Sequence, residues 1–112
     1  MITRYALFEG QVKPGQTDAF RAAVQSRLIP LWTAFPGAVE VRVMFGEDRD
    51  EGAPEFPLIL AISYPDTAAM DAALEAPVRF QSKEVTGEVV AAYFDGKIHH
   101  HVTTALTPPM TN

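Results

Sequence analysis

The chain has 112 residues, 47% hydrophobic and 21% charged, a composition that suits one globular domain and not a disordered chain. Its net charge is −5 and its nine Lys and Arg are scattered, so the clustered basic patch that a nucleic-acid partner needs is missing. With no cysteine there is no disulfide framework, thiolate nucleophile or Cys-based metal site.

The first strand spans Thr3 to Val12 and alternates Tyr5, Leu7 and Glu9 on one side with Ala6, Phe8, Gly10 and Val12 on the other. Starting so close to the N-terminus, it leaves no room for a signal peptide. No apolar run approaches the roughly 20 residues that span a bilayer. The expectation is therefore a cytoplasmic protein with no membrane partner. After a turn at Lys13-Pro14-Gly15, Thr17 is the expected N-cap of a helix with Asp18 in its first turn. Phe20, Val24, Leu28 and Leu31 form its apolar stripe, and Trp32 and Phe35 extend it. Pro30 removes a backbone donor inside this stripe and is expected to kink the helix or end its regular part.

Ala38 to Gly46 alternates cleanly, with Val39, Val41, Val43 and Phe45 opposed to Glu40, Arg42 and Met44. An acidic loop, 47–57, joins it as a hairpin to Leu58–Tyr64, a near-continuous apolar run that reads as a central strand. Asp66 is the expected N-cap of the next helix, which buries Met70, Ala73 and Leu74 and stops at Pro77. A further helical pass carries Val85, Val89 and Tyr93 four apart. Asp95-Gly96 then reads as a turn into the last strand, Lys97 to Ala105. The order is βαββαβ with the second helical unit split in two, an α+β ferredoxin-like arrangement with helices on one sheet face. Residues 1–106 form one domain and 107–112 a flexible tail. The uncovered sheet face implies a second copy of the chain as its partner.

Three segments together resemble the dimeric α+β barrel superfamily: Ile29–Val43, Tyr64–Pro77 and the last strand with its histidines. Within it they are most similar to EthD-type proteins, kin of the antibiotic-biosynthesis monooxygenases and muconolactone-isomerase-like enzymes. The shared pattern is Pro30-Leu31 late in the first helix, Pro36-Gly37 entering the second strand, and an aromatic-Pro-Asp helix start with paired alanines from Tyr64 to Ala73. The resemblance implies a homodimer whose two sheets close into one barrel, with a pocket between sheet and helices in each subunit. It also implies small aromatic or polyketide-like substrates and no metal or organic cofactor. EthD-like chains often carry a histidine two residues before the proline of that Pro-Leu pair, where this chain has Leu28.

His99, His100 and His101 are the only histidines and the best candidates for chemistry near neutral pH. Strand periodicity sets His100 with Ile98 and Val102, and His99 and His101 with Lys97 and Thr103. His100 on an apolar face suits a catalytic acid or base, or else a hydrogen-bonded core or interface histidine. His99 and His101 suit a dimer or barrel face better than a metal site, because no spacing supplies a third ligand. Arg42 suits an anionic substrate group or an ion pair with Glu40. Tyr5 and Tyr64 can orient a substrate oxygen, and Leu28, Trp32 and Met70 can line a small hydrophobic pocket, though each also reads as ordinary core. Three readings remain: a cofactor-independent monooxygenase or isomerase acting on a small aromatic or oxygenated compound, a non-catalytic small-ligand-binding or accessory dimer, and a pure dimerisation scaffold whose interior is filled by side chains. No Gly-rich phosphate loop, nucleophile elbow or metalloprotease helix is present.

Overall fold

A computed structural model of the protein describes residues 1–106 and 108–110. Four strands, β1 (Ile2–Val12), β2 (Glu40–Phe45), β3 (Leu58–Tyr64) and β4 (Phe94–Thr104), form one antiparallel sheet in the order β2-β3-β1-β4. Helices α1 (Thr17–Ala23), α2 (Ile29–Trp32), α3 (Thr67–Leu74) and α4 (Pro77–Tyr93) supply the second layer. The domain is a slab 21 Å thick, the dimension of one helix layer on one sheet. This is the expected ferredoxin-like α+β fold, with apolar β3 in the interior of the sheet. The expected tail falls partly outside the described residues, at Thr107, Thr111 and Asn112, while 108–110 are exposed without regular structure.

Alternation decides what the helices cover. Phe8, Leu58, Leu60, Ile62, Tyr64 and Phe94 turn inward to meet Phe20, Val24, Leu28 and Trp32 in a single core. Phe94 holds the centre, edge-on to Phe8 with ring centroids 5.9 Å apart and stacked on Phe20 at 6.2 Å.

Four local expectations change. The first helix begins at Thr17 rather than being capped by it. Gln16 occupies the cap position with no side-chain bond, because the turn closes through backbone contacts, Gln16 N–H to Lys13 O at 3.0 Å and Phe20 N–H to Gln16 O at 2.8 Å. Pro30 does more than kink this helix. Val24–Leu28 form a π-helical turn in which the Ile29 N–H reaches five residues back to Val24 O. That wider turn lets the missing proline donor pass without ending the helical path, and α2 carries Trp32 back onto the core. The second strand is shorter than its alternating pattern: Val39 bonds to Ser63 O at 2.9 Å but stays 54% exposed at the edge of the sheet.

The fourth change concerns Asp95-Gly96, which forms no turn. Chain direction switches from α4 to β4 at Phe94 itself, and Asp95 and Gly96 already pair with Gln11 and Gly10. Two glycines facing each other explain the pairing. A Cβ on Gly96 would lie 2.1 Å from Glu9 O, and one on Gly10 would lie 2.2 Å from Asp95 O, so only glycine permits this approach. The C-terminal carbonyls of α4 are capped from β1's end, where Lys13 Nζ donates to Ala91 O at 2.7 Å and Lys13 N–H to Tyr93 O at 2.8 Å.

Asp66 caps α3 as expected, its Oδ1 accepting from Ala69 N–H at 2.8 Å. Ala76 sits extended before Pro77, as a residue preceding proline must, and this splits α3 from α4.

Candidate functional site

A cavity of about 290 Å³ lies between the sheet and the helices, close to the lower end of ligand-pocket volumes. Its floor is the inward face of three strands: Arg4, Ala6 and Phe8 of β1, Leu60, Ile62 and Tyr64 of β3, and Ile98 and His100 of β4. The register explains the set, because Ala6 pairs with both Leu60 and His100, and Arg4 with Ile62. Trp32 and Phe35 close one wall, with Leu74 nearby. The other wall is a stripe of α4, namely Arg79, Ser82, Lys83, Thr86, Gly87 and Val90, spaced three and four apart along one helical face.

The interior is apolar and the rim is cationic. Arg4 and His100 enter from adjacent strands, and Arg79 and Lys83 from the helix above. Partial burial against the wall pushes the His100 ring below its ordinary pKa of 6.5, helped by the positive charges of Arg4, Arg79 and Lys83 and by His99. His100 lies on the edge strand β4 and is an exposed residue, so its ring belongs to the mouth of the cavity. Burial pushes the Tyr64 hydroxyl above its ordinary value against the opposing pull of Arg4 and Arg79. Burial, then the like charge of Arg79, lowers Arg4, which remains protonated. Among the described residues no carboxylate bridges Arg4, Arg79 or Lys83, whereas Arg21, Arg27 and Arg49 each pair with a glutamate.

The sequence candidates separate accordingly. His100, Trp32 and Tyr64 come together at the cavity. Leu28 and Met70 are buried in the core, 1% and 7% exposed, and do not reach its lining. Tyr5 and Arg42 stand on the opposite face of the sheet. Tyr5 pairs with Ala61 and His101, and Arg42 with Ala61, one residue out of phase with Ala6 and Ile62 that line the cavity. His99 and His101 share that open face. His99 Nε2 lies 2.8 Å from Glu9 Oε1, and His101 is exposed beside Tyr5. Among the described residues no group of three or more His, Asp or Glu is placed to hold a metal ion.

Arg4, Arg79 and Lys83 were missed. Their signal was present: Arg4 shares a strand face with Ala6 and Phe8, and Arg79 and Lys83 lie one turn apart on a polar stripe that also holds Ser82 and Thr86. Following only the apolar positions Val85, Val89 and Tyr93 of α4 passes over that stripe.

An α+β sandwich of one sheet and one helix layer with an open-mouthed pocket between them defines the structural class. The sequence matches no protein-family model and, at significance, no curated protein. Its fold is similar to that of an EthD family protein from Bacillus halodurans, 18% identical, with a TM-score of 0.76 over 95% of this chain and 99% of that one. It is also similar to SnoaB, a cofactor-independent oxygenase from Streptomyces nogalater, 18% identical with a TM-score of 0.63, covering 96% of this chain and 94% of that one. A dimeric ferredoxin-like protein of unknown function from Jannaschia is 22% identical, with a TM-score of 0.62 over 93% of this chain and 98% of that one. An antibiotic biosynthesis monooxygenase is among the further matches. At these identities the likeness establishes the shared fold, and at that level the expected resemblance to EthD-type proteins and their monooxygenase kin is borne out. No helix among the described residues is long and apolar enough to cross a membrane.

Proposed function

We propose that the protein is a cytoplasmic homodimer that takes a small aromatic or oxygenated compound into each cavity, where His100 moves a proton. The observation that carries this reading is the meeting of His100 and Tyr64 with an apolar cavity of about 290 Å³. A histidine held below its ordinary pKa is neutral near pH 7 and can accept a proton from an acidic C–H or O–H of the ligand. Tyr64, held protonated, can donate a hydrogen bond to the ligand oxygen, and the rim cations offset the negative charge that develops there. Returning the proton at another carbon isomerises the compound. Reaction of the same anion with dioxygen carries an activated CH₂ to a carbonyl, consuming one O₂ and releasing one water. The named oxygenase among the structural neighbours supports the second route. A second copy over the open sheet face is supported by the neighbours described as dimeric.

The test is a panel of anthrones, polycyclic phenols and cyclic enones, followed by oxygen uptake and absorbance. His100→Ala should lower turnover by about 10²–10⁴-fold, the usual worth of a positioned acid or base, with circular dichroism and sedimentation unchanged. An unchanged rate would remove His100 from the chemistry.

One observation favours the binding-only reading. Among the described residues no side chain is hydrogen-bonded to His100, whereas a catalytic base is commonly oriented by a partner group. Leu28, where EthD-like chains often carry histidine, is packed in the core and supplies no substitute. That reading predicts ligand binding with no product on long incubation.

A further inference from the structure

We propose that the ligand is an anion, a small ring-bearing carboxylate whose ring fills the apolar cavity and whose carboxylate is held by Arg4 and Arg79, with Lys83 at the rim. The inference rests on the cavity being a ligand site and names what that site selects.

The argument is one of charge balance. The chain carries 14 acidic residues against nine basic ones, and among the described residues three of the nine, Arg21, Arg27 and Arg49, are paired with a glutamate. Arg21 finds Glu47 at 3.1 Å and Arg49 finds Glu55 at 3.4 Å. Three cations converge on the cavity from two different layers, and its lining contains no Asp or Glu. Bringing like charges together beside apolar walls is unfavourable unless an opposite charge joins them, because each unpaired charge near low dielectric loses hydration. Among the described residues the protein supplies no such charge. A bound anion would.

The chemistry of the donors narrows the anion. Arginine presents a planar fork that binds a carboxylate through two parallel hydrogen bonds. Arg4 rises from the floor and Arg79 from α4, so a carboxylate at the mouth can meet both while the rest of the molecule points inward to Phe8, Trp32 and Leu60. Ser82 is turned away from this role, its hydroxyl donating to Arg79 O at 2.7 Å within the helix. That contact fixes the turn of α4 from which Arg79 projects.

Trp32 is the only tryptophan and lines the cavity, so its fluorescence reports occupancy directly. The probes are cyclohexanecarboxylate and its neutral isostere cyclohexanecarboxamide, both transparent where tryptophan absorbs, titrated into the full chain. The carboxylate should bind about tenfold or more tighter than the amide, the usual worth of a charge-assisted hydrogen bond. Arg79→Met, which keeps the alkyl stem, should bring the affinities of the two probes together. Arg4→Met should do the same, and if it folds poorly then Arg79→Met with Lys83→Met decides the matter from the helix side. Equal binding of the two probes by the natural chain, or a preference that survives in these variants, overturns the anion and leaves the cavity standing as a ligand site. A Trp32 signal that responds to neither probe overturns both.

Discussion

On the helix-covered side of the sheet, β1 presents Arg4, Ala6 and Phe8, and β4 presents Phe94, Ile98 and His100. On the open side the same two strands present Thr3, Tyr5, Leu7 and Glu9, with His99 and His101. Burial does not separate these faces. Thr3, Ala61 and Ser63 are only 5–6% exposed although they lie on the open side, because they are small residues set beneath larger neighbours. The buried hydroxyls of Thr3 and Ser63 satisfy each other across the sheet at 2.8 Å. What separates the faces is shape and charge. The covered face is bulky and apolar, opening at one end into a cavity rimmed by cations. The open face is low at its centre, with Tyr5, Leu7, Met44 and Ile59 around small residues and charged groups at its margin, a surface suited to another sheet.

The largest effect should come from the covered face. Phe94→Ala removes the ring that joins β1, α1 and β4, and should cost about 3–5 kcal/mol of stability. A shift of the urea midpoint at constant slope measures it. A loss below about 1 kcal/mol, the size of a mild surface change, would mean that the sheet's hold on the helices lies elsewhere.

The open face should respond in assembly rather than in folding. Ala61 sits at its centre on β3, between Arg42 and Tyr5. Ala61→Arg leaves the long side chain free to extend into solvent from a single copy, but sets a charge in the middle of any sheet-to-sheet contact. The natural chain should sediment as a dimer at micromolar concentration, and the variant as a monomer with unchanged far-ultraviolet circular dichroism. A natural chain that sediments as a monomer would end the dimer proposal.

The sequence carries these two faces unequally. Alternation in Ala38–Gly46 and in the histidine strand, the near-continuous apolar run Leu58–Tyr64, and the stripe Phe20, Val24 and Leu28 were enough for the layers and the βαββαβ order, because each is a local pattern. Alternation also split His100 from His99 and His101. It could not say which set faces the helices, since that depends on where α4 returns over the sheet. Tyr5 and Arg42 were drawn to the pocket as a polar handle and a charge, whereas register puts both on the far side. Asp95-Gly96 carried a turn signal that tertiary structure overrode, because Gly96 was needed opposite Gly10. The π-turn ahead of Pro30 is a response to a missing donor, and its exact form depends on the packing of Trp32 behind it.

The smallest effect tests the histidine split itself. His100 has a folded-state pKa lowered from 6.5 by burial and neighbouring cations, so the unfolded chain binds the proton more readily than the folded one. Its neutral form therefore contributes full stability above about pH 6.5, and that contribution drains away as the pH falls below this toward the folded value. The melting temperature of the natural chain should fall between pH 7.5 and pH 5.5 more than that of His100→Gln, which cannot take up the proton. The difference should be small, because the ring is exposed on one side and solvent screens its neighbours. Occupying the rim should work against it. A bound carboxylate placed among Arg4, Arg79 and Lys83 offsets the positive charge that now disfavours protonation, so saturating cyclohexanecarboxylate should shrink or invert the gap between the two proteins. If the gap is absent without ligand and stays absent with it, His100 does not share the field of the cavity cations, and the division of β4 into a chemical face and an assembly face loses its electrostatic half.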